Sequence, residues 1–375
     1  MRKLSVFLGV ALLAIGSAVS AQEVGSTATM QKSSWGDANE CESTDYIPDI
    51  SLDTRFGYGH DFAERTGRFG GNGLFLDING KISPHFSYSL NHRLASFEGS
   101  DGLGFDNTNW LTLNYEHNYF YISAGKQDIK VGSWEYDAYD LDCYWEMNSQ
   151  FWNNVSPWQW GLLVGAYPAD DHTLMFQCTN SPFSNLEIFN LFAYSLAWQG
   201  EWDIYNSYWS VNMWEYDKGK FVKALNLGNR FYAGDFTFDL DYSTRSTSLS
   251  TAFCDDFTLT FMPSYECDRV RAFAKVGYEK VAPTTYVGLL NIEGNTCIPF
   301  STLAEGNIFT GDNLFCGAGV EFFPLKSNKD LRIHAMWAAN SLLENERLHY
   351  LNIGLTWKLN LTQAGKAMLN RIKKQ

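Results

Sequence analysis

The side chains of this sequence best suited to binding solutes are charged residues that alternate with apolar ones. Arg and Lys attract phosphate-like anions through charge-assisted hydrogen bonds, whereas Asp and Glu attract cations. If the alternation marks one face, the bases predicted on it are Arg55, Lys81, Arg93, Arg230, Arg245, Arg271, Lys275, Arg332 and Lys358. The acids predicted on the same face are Asp53, Asp77, Asp239, Asp241, Glu279 and Glu321. The excess of bases favours anions, unless each charge only forms an ion pair with a neighbour.

A second group of charges lies in the segment 124–157 and is mostly acidic. Its members are Lys126, Lys130, Glu135, Asp137, Asp140 and Asp142. Carboxylates at a narrow point would favour cations, so the two groups predict opposite charge preferences. The segment is also rich in aromatic residues, namely Trp134, Tyr136, Tyr139, Tyr144, Trp145, Phe151 and Trp152. Such rings could offer sugars a stacking surface, but we expect them to pin the segment to its surroundings.

No pattern of residues indicates catalysis. The sequence has 7 His and lacks G-x-S-x-G, H-E-x-x-H and a phosphate-binding glycine loop. His334, beside Arg332, is the one histidine on a predicted charged face. The 7 Cys include no C-x-x-C pair, and their disulfide pairing stays open. We therefore predict no catalytic residue, no metal and no cofactor, and the formal charge of −14 excludes a nucleic-acid partner.

The first residues predict export. Arg2 and Lys3 precede an apolar run over 4–15, and Ala21 ends a stretch of small residues. This pattern is typical of a signal peptide over 1–21, because the apolar run is too short to span a bilayer. We expect residues 22–49 to form a periplasmic segment.

The elements that would position the charges are strands with period-two alternation. Phe236, Phe238, Leu240 and Tyr242 alternate with polar residues, and about sixteen such segments follow one another from 50 to 359. Long connections, such as 59–73 and 127–157, alternate with short ones, and the short link 217–220 is an exception. This sorting is typical of a transmembrane antiparallel β-barrel. The alternative, a secreted soluble β protein, has no reason to sort its loops.

The last strand and the tail after it form a separate signal. Residues 352–359, NIGLTWKL, resemble the assembly signal of outer-membrane barrels, which implies outer-membrane lipids and the barrel-assembly machinery as partners. Residues 360–375 carry Lys366, Arg371, Lys373 and Lys374. We expect them to form a basic, solvated periplasmic tail.

Short motifs give the chain a family resemblance. Ala124-Gly125-Lys126, the following Val131-Gly132, Gly80-Lys81-Ile82 and Trp160-Gly161 resemble the phosphate-selective (porin O and P) family of general porins in Gram-negative bacteria. The resemblance implies a homotrimer of barrels of about sixteen strands, each with a long third loop folded into the lumen. It also implies passive diffusion of small hydrophilic solutes or ions, with anions such as phosphate as one option. The alternative is a surface binding or structural barrel with a closed lumen.

Overall fold

The computed structural model describes residues 46–95, 107–135, 144–149, 151–152, 157–182, 190–246, 256–281, 311–325, 329–340 and 348–372. The predicted signal peptide and almost all of the predicted segment 22–49 therefore lie outside the described residues. The side chains of Asn72, Ala95, Trp145, Val281 and Gly311 are likewise outside the description.

Sixteen strands make up the fold, as the alternation predicted. The first eight are β1 (Asp49–Asp61), β2 (Thr66–Lys81), β3 (Phe86–Ala95), β4 (Thr108–His117), β5 (Phe120–Asp128), β6 (Trp158–Ala169), β7 (His172–Asn180) and β8 (Phe192–Trp202). The second eight are β9 (Tyr205–Asp217), β10 (Lys220–Ala233), β11 (Phe236–Ser246), β12 (Phe257–Cys267), β13 (Val270–Val281), β14 (Gly311–Phe322), β15 (Leu331–Asn340) and β16 (Leu348–Asn360).

The sheet closes on itself. Each strand pairs antiparallel with its neighbours in the sequence, and β1 pairs with β16 from Ser51↔Asn360 to Asp61↔Tyr350. Closure leaves no unpaired sheet edge, which is what a lipid environment demands of a β-structure. Both ends of the barrel segment consequently meet at one rim.

Alternate side chains have opposite environments. In β7, Leu174 and Phe176 are 45% and 51% exposed on the outside, whereas Met175 between them is 4% exposed inside. Exposed outward Trp, Phe, Leu and Val residues recur in most strands, including Trp209, Val211, Trp337 and Trp357. This outer surface is the apolar band of a transmembrane barrel.

The connections sort by length, with one correction to the sequence-based prediction. At the short-turn end of the barrel, where β1 begins and β16 ends, the turns are brief, such as 118–119 and 170–171. The opposite end carries the connections 96–107, 129–157, 181–191 and 282–310. The predicted long loop 59–73 is wrong, because β1 and β2 continue to a turn over 62–65. There Asp61 accepts hydrogen bonds from the N–H groups of Ala63 and Glu64.

The tail after β16 begins with a helix. Residues Leu361–Ile372 form a helix, α1, directly after β16. Thr362 ties it to the start of β1: its Oγ1 accepts from the Ile50 N–H at 3.0 Å and donates to the Pro48 carbonyl at 2.8 Å. Within the described residues, no helix is long and apolar enough to cross a membrane.

Candidate functional site: the lumen and the connection 129–157

The connection between β5 and β6, the inner loop, runs along the inward face of the wall. The Lys130 N–H donates to Gln177 of β7 at 2.8 Å, and Asn212 of β9 donates to the Lys130 carbonyl at 2.8 Å. The Gly132 N–H donates to Ser210 Oγ, also at 2.8 Å. A Cβ at Gly132 would lie 2.5 Å from the Ser210 nitrogen, so this close approach to β9 needs glycine.

An acidic and basic cluster then fixes the loop against β11 and β13. Asp241 accepts from Ser133 Oγ at 2.6 Å and from the Glu135 N–H at 2.7 Å. The Glu135 carboxylate forms an ion pair with Lys275 Nζ at 2.7 Å and accepts from the Ser149 N–H at 2.8 Å. Both charged side chains of the ion pair are buried, with 3% exposure for Glu135 and none for Lys275. We name these five residues the anchor cluster.

The returning part of the inner loop contacts the wall from β9 to β15. Tyr144 Oη donates to Glu321 of β14 at 2.7 Å, and the Phe151 N–H donates to Glu279 of β13 at 3.2 Å. Glu279 is held in turn by Arg245, whose guanidinium also lies 4.5 Å from the Phe151 ring. The described parts of the loop therefore lie inside the barrel.

Apolar packing joins the inner loop to the wall. Trp134, Tyr144 and Met147 of the loop are buried in one cluster with inward-facing side chains of seven strands. Those wall residues are Leu163, Met175, Ala197, Tyr208, Met262, Phe273, Met336 and Ala338, from β6, β7, β8, β9, β12, β13 and β15, with Tyr121 and Tyr350 packed alongside. The aromatic residues of the loop that the structure describes thus contribute to packing, as expected.

On the wall from β10 to β15, three arginines, Arg230, Arg271 and Arg332, are more exposed than the carboxylates they pair with. Arg230 binds Asp239 through two hydrogen bonds of 2.6 and 2.8 Å, with side-chain exposures of 18% and 5%. Arg271 and Arg332 both contact Glu321, at 3.5 and 3.3 Å, and the shared carboxylate is 1% exposed against 23% and 14%. The three guanidinium groups are therefore more accessible from the lumen than the carboxylates they contact.

Two more inward-facing arginines lie on β1 and β3. Arg55 and Arg93 both lie over the same buried ring, with guanidinium carbons 4.6 and 5.1 Å from the Phe75 centroid. Arg55 also contacts Asp53 at 3.3 Å. Thr356 of β16 is in register with Arg55 and accepts from Arg332 at 2.8 Å. The inward arginines thus form an arc from β10 through β16 to β3, which we name the arginine arc.

The wall opposite the arginine arc, strands β4 to β9, has no lysine or arginine that points inward. Lys126 is the only lysine or arginine in these strands. It was predicted in the loop, but β5 extends to Asp128 and places Lys126 in register with Leu111 and the outward-facing Trp160. The alternation inside β5 therefore puts Lys126 on the outer face. Lys81 and Lys358 lie at the short-turn rim, near the ends of β2 and β16.

The remaining predicted loop residues divide in two. Glu135 is in the anchor cluster, and Lys130 forms an ion pair with Asp128 at 2.7 Å. Asp137, Asp140 and Asp142 lie outside the described residues. Sequence reasoning missed Ser133, Asn148 and Ser149, whose hydroxyl and amide groups complete the polar contacts of the cluster. Small polar residues in a loop give no signal before their partners are known.

Glu146 of the inner loop is a carboxyl group whose titration we expect to make the stability of the protein depend on pH. Burial, with a smaller contribution from the nearby Asp61, raises the pKa of Glu146 to about 7, against an opposing backbone hydrogen bond. Because the pKa of Glu146 is higher in the folded state than in the unfolded state, the protonated carboxyl stabilises the folded protein. This stabilisation is complete below the ordinary pKa of a glutamate and is lost as the pH rises through 7. We expect the thermal unfolding midpoint to fall between about pH 5 and about pH 8, and E146Q to remove much of that fall. An unchanged pH profile in E146Q would contradict this role.

The closed barrel can be compared with solved structures. A mutant of the Rh. blastica porin superposes with a TM-score of 0.53 at 11% identity, over 84% of this chain and all of its own. The outer-membrane channel DcaP of Acinetobacter baumannii gives 0.55 at 8% identity, over 83% and 97%. In-vitro folded OmpT of Vibrio cholerae, in its trimer form, gives 0.54 at 12%, over 83% and 98%.

The chain has the porin fold. The likeness of this porin-type barrel to the solved structures covers the fold alone, because the identities are low. No protein-family profile and no curated protein matches the sequence. Membership of the phosphate-selective family therefore stays a prediction.

Proposed function

We propose that this chain is an outer-membrane porin through which small hydrophilic solutes or ions diffuse passively. The observation that carries the proposal is a closed barrel of sixteen strands with exposed apolar residues outside and polar and charged residues inside. Such a wall offers solutes a polar route across lipid. In this orientation the short-turn end faces the periplasm, and passive diffusion calls for no catalytic residue or cofactor.

The proposed route is narrowed by the inner loop and bordered by the arginine arc. Because Arg230, Arg271 and Arg332 are more exposed than their carboxylate partners, a passing ion meets guanidinium groups first. Two of these arginines share one carboxylate, Glu321, which leaves a net positive charge there. We therefore favour anions as the preferred solutes, with phosphate one member of that class. A homotrimer, as the family resemblance implies, is part of the same proposal.

The experiment is single-channel recording from the full chain in a planar bilayer. We expect a stable ohmic current, and a reversal potential in a salt gradient that indicates anion preference. Heat-modifiable gel mobility should accompany it as a control for the folded barrel. Folded protein that carries no current would contradict the proposal that the chain is a porin.

A second candidate is a barrel with a closed lumen that acts in surface binding or structure. It is favoured by the apolar cluster, which links the inner loop to strands on several sides of the barrel. The two candidates are separated by the same recording. The closed barrel predicts current only after the loop is released, for example by breaking the anchor cluster.

A further inference from the structure

Helix α1 exposes an apolar face that the described structure leaves uncovered. Met368, Leu369 and Ile372 are 67%, 59% and 67% exposed, and no residue of the helix is buried. At helical spacing, Leu361, Met368 and Ile372 share one side, with Leu369 at its border. A stripe of this kind on a short helix is unstable in water unless something apolar covers it.

The rest of the tail is basic. Residues 361–375 contain Lys366, Arg371, Lys373 and Lys374 and no Asp or Glu, in a chain whose net charge is −14. At the same spacing, Lys366 lies on the side of α1 away from Met368 and Ile372, and Arg371, three residues after Met368, flanks the apolar stripe. This combination of an apolar stripe with flanking bases is typical of a helix that lies in a membrane interface.

The position of α1 agrees with this chemistry. Its first residue, Leu361, comes two residues after Leu359 and four after Trp357, which are 36% and 47% exposed on the lipid-facing side of β16. The Thr362 hydrogen bonds to Pro48 and Ile50 hold the helix start at the rim of the barrel. The apolar surface of the barrel and that of the helix are therefore continuous at the short-turn end.

We propose that α1 is an interfacial anchor that binds anionic phospholipid at the short-turn face of the membrane. Its apolar side inserts at the boundary of the acyl chains, and its bases bind phosphate groups of the lipid. A second copy of α1 is a poorer partner, because two helices with the same positive charge repel each other. The inference does not depend on whether the lumen conducts.

The test is hydrogen exchange, followed by mass spectrometry, on the full-length barrel in nanodiscs that hold one barrel each. Amides of α1 should exchange more slowly in phosphatidylethanolamine discs than in lipid-free amphipol. They should exchange more slowly again when phosphatidylglycerol is added. Loss of one basic residue at an anionic surface should speed exchange about fivefold.

Three variants separate the contributions. M368S/I372S should lose the protection in both kinds of disc, whereas the matched polar-face variant Q363S/N370S should keep it. K366Q/R371Q should lose only the additional protection that phosphatidylglycerol gives. Equal exchange in amphipol and in both kinds of disc would overturn the proposal. Protection that is absent from discs with one barrel and appears only in discs prepared with two barrels would also overturn it, because the apolar stripe would then bind a second copy of the chain.

Discussion

The variant K275M should release the inner loop from the wall. Lys275 is buried against Glu135 and also interacts electrostatically with Asp241 and Glu279. Removing one partner of a buried ion pair leaves an uncompensated charge, at a cost of about 3–5 kcal/mol. Much of that cost would fall on the contact between loop and wall. We expect a lower thermal unfolding midpoint and a larger, noisier single-channel current.

The double variant K275M/E135Q is the matched control. It removes both charges, and Gln retains an oxygen that can accept from the Ser149 N–H group. Replacing a whole buried pair costs far less than breaking it. Thermal stability and current should therefore return toward the wild-type values. If the single and double variants behave alike, the anchor cluster does not hold the loop.

Removing the arginines around Glu321 should weaken the anion preference. The triple variant R271Q/E321Q/R332Q removes one net positive charge and leaves no buried carboxylate unpaired. A unit charge about 4 Å from an ion in water contributes about 1 kcal/mol, so the anion-to-cation permeability ratio should fall severalfold. The reversal potential in a potassium chloride gradient measures this ratio.

The variant K126Q provides the control for charge. It also removes one positive charge, but from the outward face of β5, in register with Trp160. Its reversal potential should match that of the wild type. A triple variant with unchanged selectivity, or a K126Q variant that shifts as far, would contradict the assignment of the arginine arc to the ion pathway.

The strands were predictable because lipid and lumen impose opposite demands on alternate side chains. Phe236, Phe238 and Leu240 alternate with Thr237 and Asp239, and β11 spans all of them. The part of β1 and β2 next to the turn that joins them was harder to predict. Glycines at 67, 70, 71 and 73 indicate a loop from the sequence alone. Yet Gly67, Gly70 and Gly73 pair in register with β1, and Gly71 lies at the bulge between the pairs of Arg55 and Gly57.

The candidate site was predictable only in outline. The alternation placed Arg230, Arg271 and Arg332 inside, but not the partner that each one binds, because partners depend on the register between strands. The apolar lining was missed, although a signal exists. Leu174-Met175-Phe176 and Ala335-Met336-Trp337 are unbroken apolar runs, and a strand that is apolar on both faces must pack against something on each. Here the inner partner is the loop.

The hydrogen bonds of Thr362 have a consequence for assembly. They join the helix after the last strand to Pro48 and Ile50 at the start of the first, across more than 310 intervening positions. The seam between β1 and β16 must bring together the most distant parts of the chain, so its closing carries the largest entropic cost of any neighbouring pair. Hydrogen bonds across that seam require β1 and β16 to lie side by side. We therefore expect the Thr362 hydrogen bonds to form late in assembly and to oppose separation of β1 from β16.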